Sequence, residues 1–338
     1  MGYEQIASFL SSESHHDAVI SRKKMAEPRR PAYQMVDGMR FAVSYSPESI
    51  REALNFRPKP GDIVLVSYPK CGTHWVKQII QLLLHRGESA QDYWQFQKQT
   101  PFLDMVGTKV LEGAPSPRDM LTHLPFDEKR FDKDAKYVYV VRNPKDCAVS
   151  FYHHTRMLPE YQFEDGEFSD FLDIFLKGET EYGDYFDHVL PWYQRRHEPN
   201  VFFVTYEQLK KDVRAVVLKL AYFLGEKYGR MLEQDEQMFR QVLAKSDVQF
   251  MKKLLEVNPE KIKAKVEKDP NSVSEGFKVA MLDKAGGDKS LNFVRKGQVG
   301  DWKGHFTKEQ SERMRARVEE KVRGSDLMAL WKEHDLGF

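Results

Sequence analysis

Residues 62–75 read DIVLVSYPKCGTHW, and this stretch indicates the fold. Its first half is a short, continuous apolar run, which is typical of a strand buried on both faces of a parallel sheet. From Thr73 to His85 the apolar residues recur at helical spacing. The sequence therefore predicts a buried strand that leads into a helix through the short turn at residues 68–72.

Two further buried strands are predicted at residues 136–141 (KYVYVV) and 201–205 (VFFVT). Each is followed by a helical pattern, and after the second an apolar stripe extends from Leu209 to Leu224. Strands that alternate with helices indicate a single α/β domain, with a central parallel β-sheet flanked by helices. Residues 86–125 contain little strand signal and are expected to form loops and short helices over the sheet edge.

The two ends of the predicted domain differ from its centre. Residues 1–40 are polar and charged, and we expect a partly flexible N-terminal arm there, with the first helix beginning near Ser46. The domain then covers residues 41–338, within which residues 258–294 are highly charged and contain a Gly-Gly pair. This composition favours a mobile lid at residues 258–294.

Charge and composition limit the function classes. The chain has 52 Lys+Arg and 51 Asp+Glu, a net charge of +1, which argues against nucleic acid or an anionic membrane as the partner. It has two cysteines, no pattern typical of a signal peptide and no apolar run of the roughly 18 residues that a membrane span needs. We therefore expect a cytoplasmic protein in which the positive charge for any anionic ligand is gathered locally.

The turn at residues 68–72 joins a strand to a helix N-terminus, which is a favourable place for an anion such as phosphate or sulfate. Gly72 allows close approach of the backbone, Thr73 offers a hydroxyl, and Lys70 adds a full positive charge. The Walker A pattern is absent because Lys70 precedes the glycine instead of following it. Taken alone, an ordinary tight turn with a surface lysine explains this sequence equally well.

Four separate motifs nevertheless resemble those of one family. YPKCGTHW (68–75) resembles the 5′-phosphosulfate loop YPKSGTTW of the cytosolic sulfotransferases. Three more motifs follow in the family's order: THLP (122–125), VRNPKDCAVS (141–150) and RKGQVGDWK (295–303). The resemblance extends over roughly residues 40–335 and implies a P-loop-like strand–loop–helix that binds phosphosulfate.

The resemblance implies a reaction and its substrates. The co-substrate would be 3′-phosphoadenosine 5′-phosphosulfate (PAPS), and the products a sulfate ester and 3′,5′-ADP (PAP), with no metal. The acceptor would be a small phenol or alcohol, or an amine. His123 would act as the general base that takes the acceptor's proton, and Lys70 would stabilise the leaving phosphate.

The resemblance also implies binding residues. For the donor these are Lys70, Cys71, Gly72, Thr73, His74 and Trp75 of the loop, Arg142, Ser150, Arg295, Lys296 and Gly297 for the 3′-phosphate, and Tyr206, Ser246 and Met251 beside the adenine. For the acceptor, the candidate walls are Phe102, Phe126, Tyr152 and His154.

Several positions depart from the family's pattern. Leu121 stands where a lysine is usual, His74 replaces a threonine, and Val248 replaces a phenylalanine. These departures leave two alternatives open: a sulfonation-driven dehydratase on the same fold, or a nucleotide-binding protein with weakened catalysis. The family's dimer motif is incomplete, since only Lys303, Thr307 and Glu312 match it, so the resemblance leaves homodimer formation open.

Overall fold

The computed structural model describes residues 29–257, 259–268 and 291–337. Its centre is a four-stranded parallel sheet with the strand order β4-β3-β5-β6. The strands of this sheet are β3 (Ile63–Val66), β4 (Asp119–Thr122), β5 (Lys136–Val141) and β6 (Val201–Thr205). Two small antiparallel pairs lie outside it: β1 (Gln34–Val36) with β2 (Met39–Phe41), and β7 (Glu256–Val257) with β8 (Leu291–Asn292).

Helices cover both faces of the central sheet. In chain order they are α1 (Pro47–Asn55), α2 (Thr73–Leu84), α3 (Tyr93–Gln99), α4 (Leu103–Val106), α5 (Pro144–Met157), α6 (Phe168–Leu176), α7 (Tyr185–Gln194), α8 (Tyr206–Lys211), α9 (Val213–Leu224), α10 (Glu226–Gln234), α11 (Glu236–Lys245), α12 (Val248–Leu254), α13 (Pro259–Lys268) and α14 (Lys308–Lys321). In the ranges that the structure describes, no helix combines the length and the apolar character that crossing a membrane requires.

The apolar runs of the strands are explained by burial on both faces. All four residues of β3 are buried. Ile63 and Leu65 belong to the core cluster that contains buried residues of α2, α9 and α11. Val64 and Val66 belong to the opposite cluster, with buried residues of α5, α6 and α7. Since successive side chains of a strand point to opposite faces, the uninterrupted run IVLV contributes side chains to the hydrophobic cores on both faces of the sheet. The predicted α/β domain with a parallel sheet is confirmed.

Two details differ from the sequence prediction. β4 is an edge strand inside the region 86–125, where no strand was expected, and it pairs in parallel with β3. The apolar stripe that was expected as one helical stretch is divided between α8 and α9. The break is at Asp212, whose carboxylate caps α9 by accepting the N–H of Ala215.

The structure describes part of the predicted arm and lid. Residues 34–40 of the predicted arm form the hairpin β1–β2 together with Phe41, and Val36 and Phe41 are buried there. Within the proposed lid, α13 and β8 are described. Residues 1–28 and 269–290 lie outside the described residues, so the flexible arm and the mobile lid stay predictions.

Candidate active site

A cavity of about 460 Å³ opens at the carboxyl ends of the parallel strands. Each strand is followed by a residue that lines it: Lys70 after β3, His123 after β4, Arg142 after β5 and Tyr206 after β6. This edge is where open α/β sheets usually bind ligands, because the loops and helix N-termini converge there. The sheet thus brings together motifs that are far apart in the sequence.

Most of the predicted site residues line this cavity. They are Lys70, Gly72, Thr73, His74, Trp75, Phe102, His123, Arg142, Ser150, His154, Tyr206, Ser246, Met251, Arg295, Lys296 and Gly297.

The loop after β3 has the backbone conformation that an anion site needs. Gly72 precedes α2 with φ +106°, and Lys70 also has a positive φ of 68°. A Cβ atom at Gly72 would lie 2.8 Å from Cδ2 of Tyr206, so only glycine fits there. Gly72 has no side chain to cap α2, and the N–H groups of a helix N-terminus attract negative charge.

Ser67 links this loop to the histidine of the THLP motif. Its hydroxyl lies 2.7 Å from the hydroxyl of Thr73 and 3.3 Å from Nδ1 of His123. The Ser67 carbonyl oxygen lies closer, 2.7 Å from the same Nδ1, and it can only accept. The Nδ1 of His123 therefore carries the proton, and Nε2 keeps its lone pair.

The environment of His123 holds the imidazole neutral. Burial, with smaller contributions from His188 and Lys70, lowers its pKa to about 3, whereas the hydrogen bond to Ser67 opposes the shift. A neutral imidazole with Nδ1 bonded and Nε2 free is the form that can take a proton from a substrate.

The main chain of His123 is fixed by buried polar groups. Asp104 accepts the backbone N–H of His123 at 2.8 Å and the hydroxyl of Thr122 at 2.6 Å. His188 donates Nε2–H to the carbonyl oxygen of His123 at 2.9 Å, and Tyr139 donates its hydroxyl to Nδ1 of His188 at 2.8 Å. These bonds hold the main chain of His123 in place, and the bond from Nδ1 to Ser67 orients its ring.

Two arginines of the cavity have unused donors. The Nε atoms of Arg142 and Arg295 are buried and have no hydrogen-bond partner within the described part of the chain. Arg142 also donates to the carbonyl oxygen of Gln298 at 2.7 Å and lies over the Tyr206 ring, 4.5 Å from its centroid. Because buried N–H groups without acceptors are costly, these donors suit an anionic ligand.

The C-terminal motif reaches this site through Asp146 of α5. Its carboxylate accepts the N–H of Gly300 at 2.7 Å and that of Trp302 at 3.0 Å. Arg295 and Lys296 each form an ion pair with Asp301. A segment more than 150 residues further along the chain is thereby held beside Arg142.

Lys70 lies among like charges. Its Nζ is 3.3 Å from Nδ1 of His154. Burial lowers the pKa of Lys70 to about 8, and the positive charges of Arg142 and Arg295 contribute to the lowering. An anion placed between these cations would remove the repulsion and restore the charge on Lys70.

One end of the cavity has the character of a base-binding slot. The rings of Trp75 and Tyr206 meet edge to face with centroids 5.4 Å apart, and Ser246, Val248 and Met251 line the same cavity. A Cβ atom at Gly297 would lie 2.8 Å from Cγ2 of Val248, so the glycine allows the C-terminal motif to approach α12.

The opposite end is aromatic. The His74 ring packs edge-on against Phe96 and Phe293, and His154 also lies next to Phe293. These contacts indicate that the imidazole of His74 belongs to the aromatic wall. The sequence had suggested instead that His74 contacts the 5′-phosphate.

Three predicted residues lie away from the cavity. The side chain of Cys71 is fully buried with its Sγ 3.7 Å from that of Cys147, because the loop turns it into the core. Phe126 packs against Trp192 and lines a separate small cavity. The hydroxyl of Tyr152 is buried and donates to the carbonyl oxygen of Gly166. As side-chain contacts of a ligand in the main cavity, these three assignments are wrong.

Sequence reasoning missed further residues that line the cavity. They are mostly aromatic or acidic and include Tyr45, Tyr93, Glu160, Tyr161, Glu181 and Tyr182. Isolated tyrosines and glutamates in loops carry no local signal of a site, because only the tertiary structure brings them together.

The sequence of this chain is similar to those of known sulfotransferases. A family profile for the sulfotransferase domain matches residues 60–326. Sulfotransferase 2B1 of Mus musculus is 34% identical over 303 residues, which cover 86% of this chain and 81% of the relative. Sulfotransferase 1E1 of Homo sapiens is 32% identical over 283 residues, which cover 80% of this chain and 87% of the relative.

Solved structures are similar as well. The mouse sulfotransferase SULT7A1, solved in complex with PAP, matches with a TM-score of 0.67 and 29% identity, covering 90% of this chain and 99% of its own. A retinol dehydratase solved with androsterone and PAP has a TM-score of 0.66 at 21% identity, covering 88% of this chain and 91% of its own. This second similarity concerns the fold.

Proposed function

This chain belongs to the sulfotransferase family, and we propose that it transfers a sulfuryl group from PAPS to the hydroxyl or amine of a small acceptor, a phenol in the first instance. The products would be a sulfate ester and 3′,5′-ADP. The observation that carries this proposal is the meeting, in one cavity, of a neutral His123 with the cations Lys70, Arg142 and Arg295.

The donor end fits a nucleotide with two anionic groups. The loop around Gly72 offers a helix N-terminus, and Lys70 supplies charge for a 5′-phosphosulfate. The Nε atoms of Arg142 and Arg295, which have no partner among the described residues, suit a second phosphate, with Ser150, Lys296 and Gly297 lining the same cavity. The PAP-bound mouse relative supports the same ligand class here.

The donor supplies an activated sulfuryl group, and the protein's residues supply alignment and charge. Nε2 of His123 would accept the proton of the acceptor hydroxyl, which increases the nucleophilicity of its oxygen. Lys70 and the N–H groups at the start of α2 would stabilise negative charge that develops on the leaving phosphate oxygen. The bond to the Ser67 carbonyl oxygen would keep a proton of His123 on Nδ1 while Nε2 accepts the acceptor's proton.

The experiment that tests the proposal is sulfuryl transfer from radiolabelled PAPS to a panel of phenols and alcohols. Product mass distinguishes a sulfate ester from a dehydrated acceptor. Binding of 3′,5′-ADP, compared with ATP by thermal shift, tests the donor site independently of the acceptor. Stabilisation by 3′,5′-ADP with no transfer to any acceptor would contradict the catalytic part of the proposal.

A further inference from the structure

A buried carboxylate faces the acceptor end of the cavity. Glu181 is 3% exposed and lines the cavity beside Tyr182. Its Oε2 accepts the hydroxyl of Tyr161 at 2.8 Å, whereas its Oε1 is buried and makes no hydrogen bond of good geometry in the described structure, although the backbone N–H of Ala42 lies nearby. A buried acceptor atom without a donor is costly, and here it borders a ligand cavity.

The charged groups around Glu181 do not neutralise its carboxylate. Among the described residues, no lysine or arginine forms an ion pair with Glu181 or with the neighbouring Glu160, which also lines the cavity. Burial, with repulsion from Glu160 and Asp104, raises the pKa of Glu181 to about 8, and the hydrogen bonds from Tyr161 and the backbone of Ala42 oppose this shift. No cation of the described residues therefore pairs with the carboxyl groups at this end of the cavity, and a bound ligand could supply the positive charge.

Tyrosine rings complete the surroundings. Tyr45, Tyr93, Tyr161 and Tyr182 all line the cavity together with Glu160 and Glu181. The faces of aromatic rings attract cations, and aromatic cages are known to bind ammonium ligands. A neutral or anionic acceptor would leave the free oxygen of Glu181 without this compensation.

We propose that Glu181 is a specificity-determining residue that binds a protonated amine on the acceptor, so that the preferred substrates are small phenols or alcohols carrying an ammonium group. The inference rests on the proposed function, because it assumes that the acceptor occupies this end of the cavity. The ammonium group would donate to Oε1 of Glu181, and the hydroxyl would be the group that is sulfonated.

The positions of the two ends fit a small molecule. The ring of Tyr182, the residue next to Glu181, lies 5.4 Å from the ring of His123 between centroids. Phe102 lies 5.0 Å from His123 on another side, and Tyr45 lies next to Phe102. An acceptor ring held among Tyr182, Phe102 and Tyr45 would therefore have its hydroxyl near His123, and the proposal assigns its ammonium group to Glu181 in the same cavity.

The test compares three acceptors that differ only in charge: 4-(2-aminoethyl)phenol, 4-ethylphenol and 3-(4-hydroxyphenyl)propanoic acid. We expect kcat/KM to be highest for the amine and lowest for the acid. In Glu181→Gln the preference for the amine over 4-ethylphenol should fall by about 10- to 100-fold, the size expected for one hydrogen bond to a charged group. Turnover of 4-ethylphenol should persist.

The matched control is Glu179→Gln. Glu179 is two residues away, and its carboxylate forms an ion pair with Arg30 outside the cavity. This variant removes the same charge from the same segment and should keep the wild-type preference. Thermal unfolding and 3′,5′-ADP binding confirm that both variants are folded; if Glu181→Gln does not fold, the wild-type comparison of the three acceptors decides.

The pH dependence provides a second readout. The titratable groups that face Glu181 are Glu160, Asp104, Tyr33, Tyr45, Tyr161 and Tyr182. Since a protonated Glu181 cannot pair with an ammonium group, KM for the amine should fall as pH rises from 6.5 towards 8.5, whereas KM for 4-ethylphenol should not follow this trend.

Two results would overturn the inference: equal or better use of 4-ethylphenol by the wild type, or an unchanged preference for the amine in Glu181→Gln. Failure of the proposed function has a different signature. If no acceptor is sulfonated, calorimetry of the complex with 3′,5′-ADP still decides, because tighter binding of the amine that is lost in Glu181→Gln supports the inference, and equal binding of amine and 4-ethylphenol rejects it.

Discussion

The Nδ1–H of His123 is bonded to the carbonyl oxygen of Ser67 at 2.7 Å. A carbonyl can only accept, so this contact fixes the tautomer of the histidine and leaves Nε2 unprotonated. Ser67 also contacts Thr73 in the loop after β3. The orientation of the candidate base is therefore coupled to the loop that would hold the donor.

His123→Ala should reduce kcat by about 10²- to 10⁴-fold, the usual contribution of general base catalysis. The affinity for 3′,5′-ADP should change little, because the residues expected to bind the nucleotide lie elsewhere: on the loop after β3, at the end of β5 and on α5, and in the C-terminal motif. Transfer kinetics and calorimetry measure the two effects separately.

His197→Ala is the control for this variant, since His197 is exposed and outside the cavity. It should retain wild-type kcat. Normal turnover by His123→Ala would show that another group takes the proton.

The strand, loop and helix at residues 62–84 could be predicted because their signals are local. An unbroken apolar run marks a strand buried on both faces, and Gly72 marks the turn. β4 could not be predicted in this way, because its four residues DMLT owe their strand conformation to pairing with β3. Local sequence does not reveal such a partner.

The same limit applies to the site. Motifs identified Lys70, His123, Arg142 and Arg295, all of which line the cavity. The loop motif YPKCGTHW did not reveal that the side chain of Cys71 points into the core, since loops have no periodicity from which side-chain direction can be inferred. Asp104 and Glu181 were missed because an acidic residue in an irregular region gains its meaning only from neighbours that are distant in sequence.

Lys70 should make donor binding depend on pH. Its pKa of about 8 in the free protein means that it is charged below pH 8 and must take up a proton to bind an anion above it. The affinity for 3′,5′-ADP should therefore be level between pH 7 and 8 and fall above pH 8, by up to about tenfold per unit. Calorimetry in buffers of different ionisation enthalpy would detect the proton uptake.

Lys70→Arg separates this effect from other titrations, because arginine stays charged throughout the range. Its binding should be level across pH 7 to 9.5, whereas Lys70→Ala should bind weakly at every pH. A wild-type affinity that is constant up to pH 9.5 is incompatible with the assigned role of Lys70.

Arg295 should carry recognition of the 3′-phosphate. We expect 3′,5′-ADP to bind far more tightly than 5′-AMP, and Arg295→Met to reduce this preference by about 10- to 100-fold through loss of a charged hydrogen bond. Arg313→Met removes a similar charge that pairs with Asp173 on the surface, and it should keep the preference. Competition binding with both nucleotides measures the ratio; equal loss of affinity for both in Arg295→Met would assign the residue a general electrostatic role.

Gly72→Ala tests the backbone geometry of the loop. The alanine would be held at φ +106°, and its Cβ would lie 2.8 Å from the Tyr206 ring, so either the loop or the ring must move. A left-handed conformation alone costs an ordinary residue about 1–2 kcal/mol, so we expect a lower melting temperature as well as weaker binding of 3′,5′-ADP.

Gly304→Ala is the matched control, because Gly304 is exposed and a Cβ atom there would meet nothing within 4 Å. Its effect on stability should stay within about 0.5 kcal/mol.

The informative comparison is Gly72→Ala with Tyr206→Ala added, since the double variant removes the collision but keeps the strained backbone. If the collision dominates, the second substitution restores part of the lost stability; if the backbone strain dominates, it restores none. Wild-type stability and 3′,5′-ADP affinity in Gly72→Ala itself would mean that the loop does not need this conformation to bind the donor.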